Sequence, residues 1–434
     1  MSNPIHTSKQ QRIDWLTEAG NNFCAMPFGH MAIEANGDIR PCCMGDKFPG
    51  LNIRNKTIQE VYRDPIRDEF IESFRQNKQH KLCGACWKDP QIRTHFSSAL
   101  QSRSITEQAM AGKMPGTELK WLEIKPGNRC NLKCRICGVH GSSSWTKDAH
   151  KLDQKDVPYK ESNAFKYTQS CDWIEDKDFW NDIRELASVE YIHFMGGEPF
   201  MVPEHFQLLE RLVEDPSIDT STIAIGYNTN GTYFPTEENI NLYKNFKKVH
   251  FALSIDDVGA RFEYQRKLAK WEEVKLNIIN FKKISHNTVR FSANMDTTVS
   301  VLNIFALDEI YEEFIKLGYT IDDGHEHYVY SGPEAIWQLP SDVKRIILDK
   351  YKGNTTPWIT KAMKYMMSRE LEAGKWLFAD VHTSLDKLRK ENFKTIYPEW
   401  YQILKPYWKP MEQQMEQQME QFNIPASGDI IDNR

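Results

Sequence analysis

Three cysteines, Cys130, Cys134 and Cys137, stand at x3 and x2 spacing in a loop that carries Gly127, Asn128 and Asn131 and follows the strand-like run Leu119-Lys125. That spacing can turn three thiolates toward one small cage, and cuboidal iron-sulfur clusters are held by cysteine thiolates. A local set of three leaves one iron of a 4Fe-4S cube without a protein ligand. An open coordination position is where a metal does chemistry, as the open fourth site of catalytic zinc illustrates. The plainer alternative is a zinc knuckle that pairs Cys134-x2-Cys137 with a second hook, Cys83-x2-Cys86. It leaves Cys130 surplus.

A second set lies upstream. Cys24 is followed by the strand-like Met31-Ala35, an Asn36-Gly37 turn and Ile39-Arg40-Pro41-Cys42-Cys43. Asn-Gly between two short runs predicts a hairpin, with Gly37 supplying the positive φ of the turn. The hairpin brings Cys24 and Cys42 to one end. After a helical stretch near 57–75, with Thr57 as its N-cap, comes the hook Cys83-Gly84-Ala85-Cys86. Four thiolates from hairpin and hook would close a cluster completely, or staple a mini-domain with zinc. Cys43 reads as a bystander.

Such sites need rigid elements. Short apolar runs at Leu119-Lys125, Tyr191-Met195, Thr222-Asn228, Lys248-Ile255, Val289-Met295 and His327-Tyr330 alternate with helical patterns, which predicts β/α units and a parallel sheet. Active sites of parallel barrels lie at the C-terminal ends of the strands. There stand Gly196-Gly197-Glu198-Pro199, otherwise only a tight turn, and the polar turn Asn228-Thr229-Asn230-Gly231. The fourth strand places Ser254 and Asp256 on one face by alternation. Arg266 follows in a charged, helical run where a solvated arginine is an equal alternative. His325 and His327 share a face, as a metal pair, a general base or simply hydrogen-bonded edge residues.

The ordered combination of CxxxCxxC and GGEP resembles the radical S-adenosylmethionine (SAM) superfamily. The resemblance implies a partial (β/α)6 barrel of α/β class. It implies a 4Fe-4S cluster on Cys130, Cys134 and Cys137 whose open iron chelates SAM and cleaves it reductively to a 5′-deoxyadenosyl radical. It also assigns SAM contacts to the backbone of Ile136, where the family usually has an aromatic residue, and to Gly196, Gly197 and Glu198. Further contacts fall on the turn at Asn228, on Ser254 and Asp256, and on Arg266 for the carboxylate, to which a guanidinium fork can donate two parallel bonds. Cys24, Gly37 and Cys42 match the auxiliary-cluster module called SPASM, or its shorter twitch form. The implied ligands of an auxiliary 4Fe-4S cluster are Cys24, Cys42, Cys83 and Cys86. The module here precedes the barrel, whereas in the family it usually follows. The resemblance further implies an electron donor of flavodoxin or ferredoxin type, and as substrate either a peptide or protein side chain or a small sugar or polyol. A non-catalytic iron-sulfur or zinc-binding scaffold is the competing class.

The chain has 434 residues, enough for two or three domains. The expected division is a cysteine-rich auxiliary domain over 1–115, the barrel over 116–332 and a helical C-terminal extension over 333–434. A net charge of −5 without a dense basic block disfavours nucleic acid as a bulk partner. No signal peptide and no apolar run of membrane-spanning length is visible. Eight of nine cysteines fall between Cys24 and Cys137. Without an export signal they read as metal ligands of a cytoplasmic protein rather than as disulfides. The long insert over 139–188, with the lone Cys171, is expected to lid the substrate. Met411, Met415 and Met419 form a helical packing stripe.

Overall fold

The computed structural model describes residues 7–18, 20–88, 103–153, 173–175, 183–370 and 376–408. Cys171, the methionine stripe and most of the long insert lie outside the described residues. The centre is one eight-stranded sheet, in the order β2-β1-β3-β4-β5-β6-β7-β8. The strands are β1 His30–Ile33, β2 Ile39–Arg40, β3 Trp121–Ile124, β4 Tyr191–Phe194, β5 Ala224–Thr229, β6 Lys248–Ser254, β7 Phe291–Val299 and β8 Gly324–Tyr328. All six expected barrel strands are present, each parallel to its neighbour. β7 runs on past Met295 to Val299, and β8 begins at Gly324 rather than His327.

Alternation gives the sheet two unlike faces. On the outer face Phe194, Tyr227 and Phe251 stack across β4, β5 and β6 at centroid distances of 5.3 and 5.8 Å. The buried stripes of helices Glu204–Glu214, Trp271–Asn287 and Leu307–Lys316 join this core. The inner face is polar: Glu123, His193, Asn228, His250, Ser254, Asn294 and Asp296 line it. The sheet curls around these groups, because Asp296 on β7 stands near enough to Tyr191 and His193 on β4 to act on their ionisation. This is a partial barrel with a polar lumen, followed by a helical extension.

The expected hairpin forms, with Gly37 at φ 84° in its turn. It does not stand apart from the barrel. β1 pairs parallel with β3, His30 opposite Trp121 and Ile33 opposite Ile124, so one sheet runs across the expected 115/116 boundary. All of β1 is buried. The pairing is extended at both ends by Lys120 N–H to Gly29 O and Lys125 N–H to Ile33 O. Thr57 caps a helix as expected, in a capping box with Glu60, but that helix is Ile58–Tyr62. Pro65 cannot continue the hydrogen-bond ladder, so Asp64 caps a second helix, Pro65–Arg75.

The C-terminal extension is helical, with Ser341–Lys350, Pro357–Met366, Phe378–Arg389 and Pro398–Leu404 as its longer helices. Trp358, Trp376 and Trp400 are buried in it, and Trp400 donates to Val301 O at 2.8 Å, tying it to the barrel. Among the described residues no helix is long and apolar enough to cross a membrane.

Candidate metal and SAM centre

The cysteine loop leaves the C-terminal end of β3 and is braced from three sides. The first side is the opening of the insert: Ser143 N–H donates to Asn128 O at 2.7 Å, Ser144 Oγ to Cys130 O at 2.7 Å and Trp145 Nε1 to Cys134 O at 2.8 Å. This part of the insert supports the loop, while residues 154–172 and 176–182 lie outside the described residues. The second side is the segment after helix Gly259–Gln265, where Lys133 N–H bonds Lys267 O and Arg135 N–H bonds Gln265 O. The third is the C-terminal extension. Arg135 is buried, lies 3.6 Å over the Tyr264 ring and donates to Asp386 and, at 2.7 Å, to Glu391. A buried guanidinium is tolerated because two carboxylates and a ring face satisfy it.

Within this frame Cys130 and Cys137 lie near enough to Cys134 to add to burial in raising its thiol. Burial pushes the Cys134 thiol up to about 12, against the pull of the nearby Arg266. Burial likewise raises Cys130, whose sulfur lies 3.4 Å from Leu132 N and 3.8 Å from Asn230 Nδ2. Metal binding displaces such protons. Among the described residues no three His, Cys, Asp or Glu side chains converge on a point that could hold a lone metal ion. The thiolates of a cube each bind a different iron, so a cube does not require that convergence.

Two further turns close on the loop. Gly197 has φ 54°, and a Cβ there would stand 2.4 Å from Arg129 O. Only glycine lets this turn approach so closely that Glu198 N–H reaches Arg129 O at 2.7 Å. Gly196, at φ 76°, completes the turn. Glu198 is fully buried, and its carboxylate accepts from Asn230 N–H at 2.7 Å, Thr229 Oγ1 at 2.8 Å and Phe200 N–H at 3.3 Å. Burial outweighs these donors and pushes its pKa up to about 7. Glu198 thus staples the β4 turn to the β5 turn.

The β5 turn divides its two asparagines. Asn228 faces the lumen and meets His193 Nε2 at 2.9 Å, whereas Asn230 reaches Cys130 and bonds Asn131 at 3.0 Å. Sequence reasoning chose Asn228 and missed the role of Asn230. The signal was available in Thr229-Asn230-Gly231-Thr232, an Asx turn in which Asn230 Oδ1 accepts from Thr232 N–H.

Ser254 and Asp256 lie on the lumen face as expected. Asp256 is buried, accepts from Thr298 N–H at 2.9 Å and lies 2.7 Å from Arg266 Nη2. Arg266 is not solvated: it is 6% exposed, with Nη1 3.9 Å from Cys134 Sγ. Its Nε–H, also buried, has no hydrogen-bond partner among the described residues. A buried guanidinium with a spare donor beside the cysteine loop fits an anionic ligand such as the SAM carboxylate. Ile136 is half-buried against the hydrophobic core.

His325 and His327 do share a surrounding, and it is Asp296. His327 Nε2 stands 3.1 Å and His325 Nδ1 3.5 Å from its carboxylate, with Asn294 bonding His325 at 2.9 Å. Burial would raise Asp296, yet the two imidazoles outweigh it and hold the group at about 2. Burial would lower His327, yet Asp296 raises it.

The second cysteine set is drawn from separated segments. Asp46 N–H bonds Leu82 O at 2.8 Å, so the turn after Cys42 sits against the Cys83 hook. The Cys83 thiol is raised by burial and by Cys24, Cys42 and Cys86 together. Burial, Glu123 and the neighbouring Cys42 and Cys86 raise Cys43, so it belongs to the same surroundings. His30 joins this set to the lumen: its Nδ1 meets Pro41 O at 2.9 Å and its Nε2 lies 3.6 Å from Glu123. Burial would raise Glu123, but His30 outweighs it and holds the carboxylate at about 2.

Residues 124–299 match the model of the radical SAM superfamily, and residues 24–87 match the model of SPASM, an iron-sulfur cluster-binding domain. Residues 124–299 are therefore a radical SAM domain, which implies a 4Fe-4S cluster that binds SAM. The chain carries in addition a SPASM module, placed before the barrel, and with it an auxiliary iron-sulfur cluster. No curated protein matches the chain. Among solved structures, native anSMEcpe with bound AdoMet and Cp18Cys peptide is similar at 21% identity and TM-score 0.35, over 54% of this chain and 59% of that one. Streptococcus suis SuiB bound to S-adenosylmethionine is similar at 12% identity and TM-score 0.31, over 85% and 72%. The chain spans about six-tenths of the length of anSMEcpe.

Proposed function

We propose that the protein is a radical SAM enzyme in which Cys130, Cys134 and Cys137 hold the SAM-binding cluster and Cys24, Cys42, Cys83 and Cys86 hold the auxiliary one. Bound there, the first cluster supplies the electron that cleaves SAM to methionine and a 5′-deoxyadenosyl radical, which abstracts hydrogen from the substrate. The observation that supports this reading best is Arg266, buried between Cys134 and Asp256 with an unpartnered Nε–H. In that role it receives the SAM carboxylate, while Ser254 and Asp256 face the ribose. Gly196, Gly197 and Glu198 shape the amino-group side, Asn228 lies on the lumen side, and Ile136 lends its backbone beside the adenine.

The substrate enters the lumen. Its wall of Asp296, His325, His327, Asn294 and His193 suits a reacting carbon that carries hydroxyl or other hydrogen-bonding groups, as in a sugar, a polyol or a hydroxylated peptide side chain. Asp296 with His327 is the acid–base pair nearest that space. Residues 1–115, 116–332 and 333–434 then serve as auxiliary module, barrel and clamp on the cysteine loop. A low-potential electron donor in the cytoplasm completes the system.

The test is anaerobic reconstitution followed by incubation with SAM and dithionite. The reading predicts 5′-deoxyadenosine and methionine, both lost in Cys134→Ala. A cluster-replete protein that forms neither contradicts it.

A further inference from the structure

One surface cleft is lined by the segment that braces the cysteine loop. It has a volume of about 550 Å³ and runs between the segment Tyr264–Lys270 and the end of the C-terminal helix Phe378–Arg389, lined among others by Lys267, Leu268, Lys270, Lys390 and Glu391. Its wall is hydrogen-bonded to the loop itself, through Gln265 O to Arg135 N–H and Lys267 O to Lys133 N–H. Arg266, within the same segment, lies 3.9 Å from the Cys134 sulfur.

The cleft carries three lysines against two glutamates, on a chain that is acidic overall. Glu391 is spent on Arg135 and Lys267, and Glu263 accepts from Trp271 N–H. Lys270 and Lys390 are exposed and form no ion pair among the described residues. Two of the three non-glycine residues with positive φ among the described residues sit here, Leu268 at 83° and Lys390 at 54°. Leu268 is also 55% exposed. A branched apolar side chain held in a disfavoured backbone region and turned to solvent is costly unless something uses it.

We infer that this cleft docks the electron donor, a small acidic one-electron carrier protein, with Leu268 as the apolar contact and Lys270 and Lys390 as the steering charges. The inference rests on the radical SAM reading above. In the docked complex a carrier flavin hydroquinone gives one electron to the oxidised cluster and becomes the semiquinone, its proton passing to solvent. Opposite charges around a small apolar centre speed encounter and make it salt-dependent.

The experiment follows cluster reduction by electron paramagnetic resonance, with flavodoxin hydroquinone and, separately, reduced plant-type ferredoxin as donors. It compares wild type, the pair Lys270→Glu/Lys390→Glu and Leu268→Gly, which relieves the backbone while removing the contact. Wild-type reduction is expected to slow steeply with added salt. The charge-reversed pair is expected to be at least about tenfold slower at low salt and nearly insensitive to salt, and Leu268→Gly slower at every salt concentration. Dithionite-driven 5′-deoxyadenosine formation stays at the wild-type rate in both variants. Equal reduction of wild type and the charge-reversed pair by both carriers, or no reduction of wild type by either, overturns the docking site. Failure of dithionite-driven SAM cleavage in wild type is a separate result that overturns the enzyme reading.

Discussion

The two cysteine sites are built by opposite strategies. Cys130, Cys134 and Cys137 come from one short loop, and distant elements exist to hold it: the insert at Ser143–Trp145, the Gln265–Lys267 segment, and helix Phe378–Arg389 through Arg135. Cys24, Cys42, Cys83 and Cys86 come from separate segments, brought together by packing that is continuous with the barrel core. The charges differ as well. Arg266 stands against the first site, while Glu123 stands near the second. A site that receives a carboxylate and accepts an electron is served by a neighbouring cation, and a closed cluster has no such need.

The largest effect expected from breaking this comparison is a division of labour. Cys134→Ala should lose one cluster's iron and all 5′-deoxyadenosine, whereas Cys83→Ala should lose the other cluster's iron and keep reductive SAM cleavage. Iron and sulfide analysis alongside product chromatography reads both.

Next comes the cation. Arg266→Met leaves Asp256 buried without its partner, and such a loss costs about 3–5 kcal/mol. Chemical denaturation should show it, together with weakened SAM binding. Asp256→Asn in the same background should recover part of the stability, and binding should stay weak.

This cation also marks how far the sequence alone reaches. Six strands, the hairpin at Gly37 and the two turns after β4 and β5 follow from alternation and turn chemistry, which are local. Arg266 sits in a charged stretch where a solvated arginine and a carboxylate ligand read as equal alternatives, and its burial beside Cys134 is a non-local fact. The pairing of β1 with β3 is invisible for the same reason, since four apolar residues name no partner. Asp296 was overlooked although Ser292, Asn294, Asp296 and Thr298 alternate as a polar face within β7. The histidines that answer it arrive from β8, a non-local contact.

A smaller effect is expected at the lumen. Asp296 is held at about 2 by His325 and His327, and His327 is raised in return. Asp296 is more acidic folded than unfolded, so its stabilisation is present above its unfolded pKa and lost as pH falls toward 2. His327 is raised, so its share is present below its unfolded pKa and lost as pH rises through its folded value. The stability gap between wild type and Asp296→Asn should therefore peak in mildly acidic solution and narrow on both sides. It should not exceed about 1 kcal/mol, because both histidines are open to water. Thermal unfolding across pH measures this.

The smallest effect concerns Cys43, which shares the surroundings of Cys42 and Cys86 but is surplus to a four-ligand cluster. Cys43→Ala should leave the iron content unchanged. A loss equal to that in Cys42→Ala would make Cys43 a ligand and sharpen the contrast between the two sites.

The central claim is an iron left open for SAM by the three-cysteine loop. Electron paramagnetic resonance of a dithionite-reduced Cys42→Ala/Cys83→Ala variant, which retains only that cluster, tests it directly. The account predicts a 4Fe-4S signal whose g-values shift when SAM is added. An unchanged spectrum at saturating SAM, or zinc in place of iron at the loop, would contradict it.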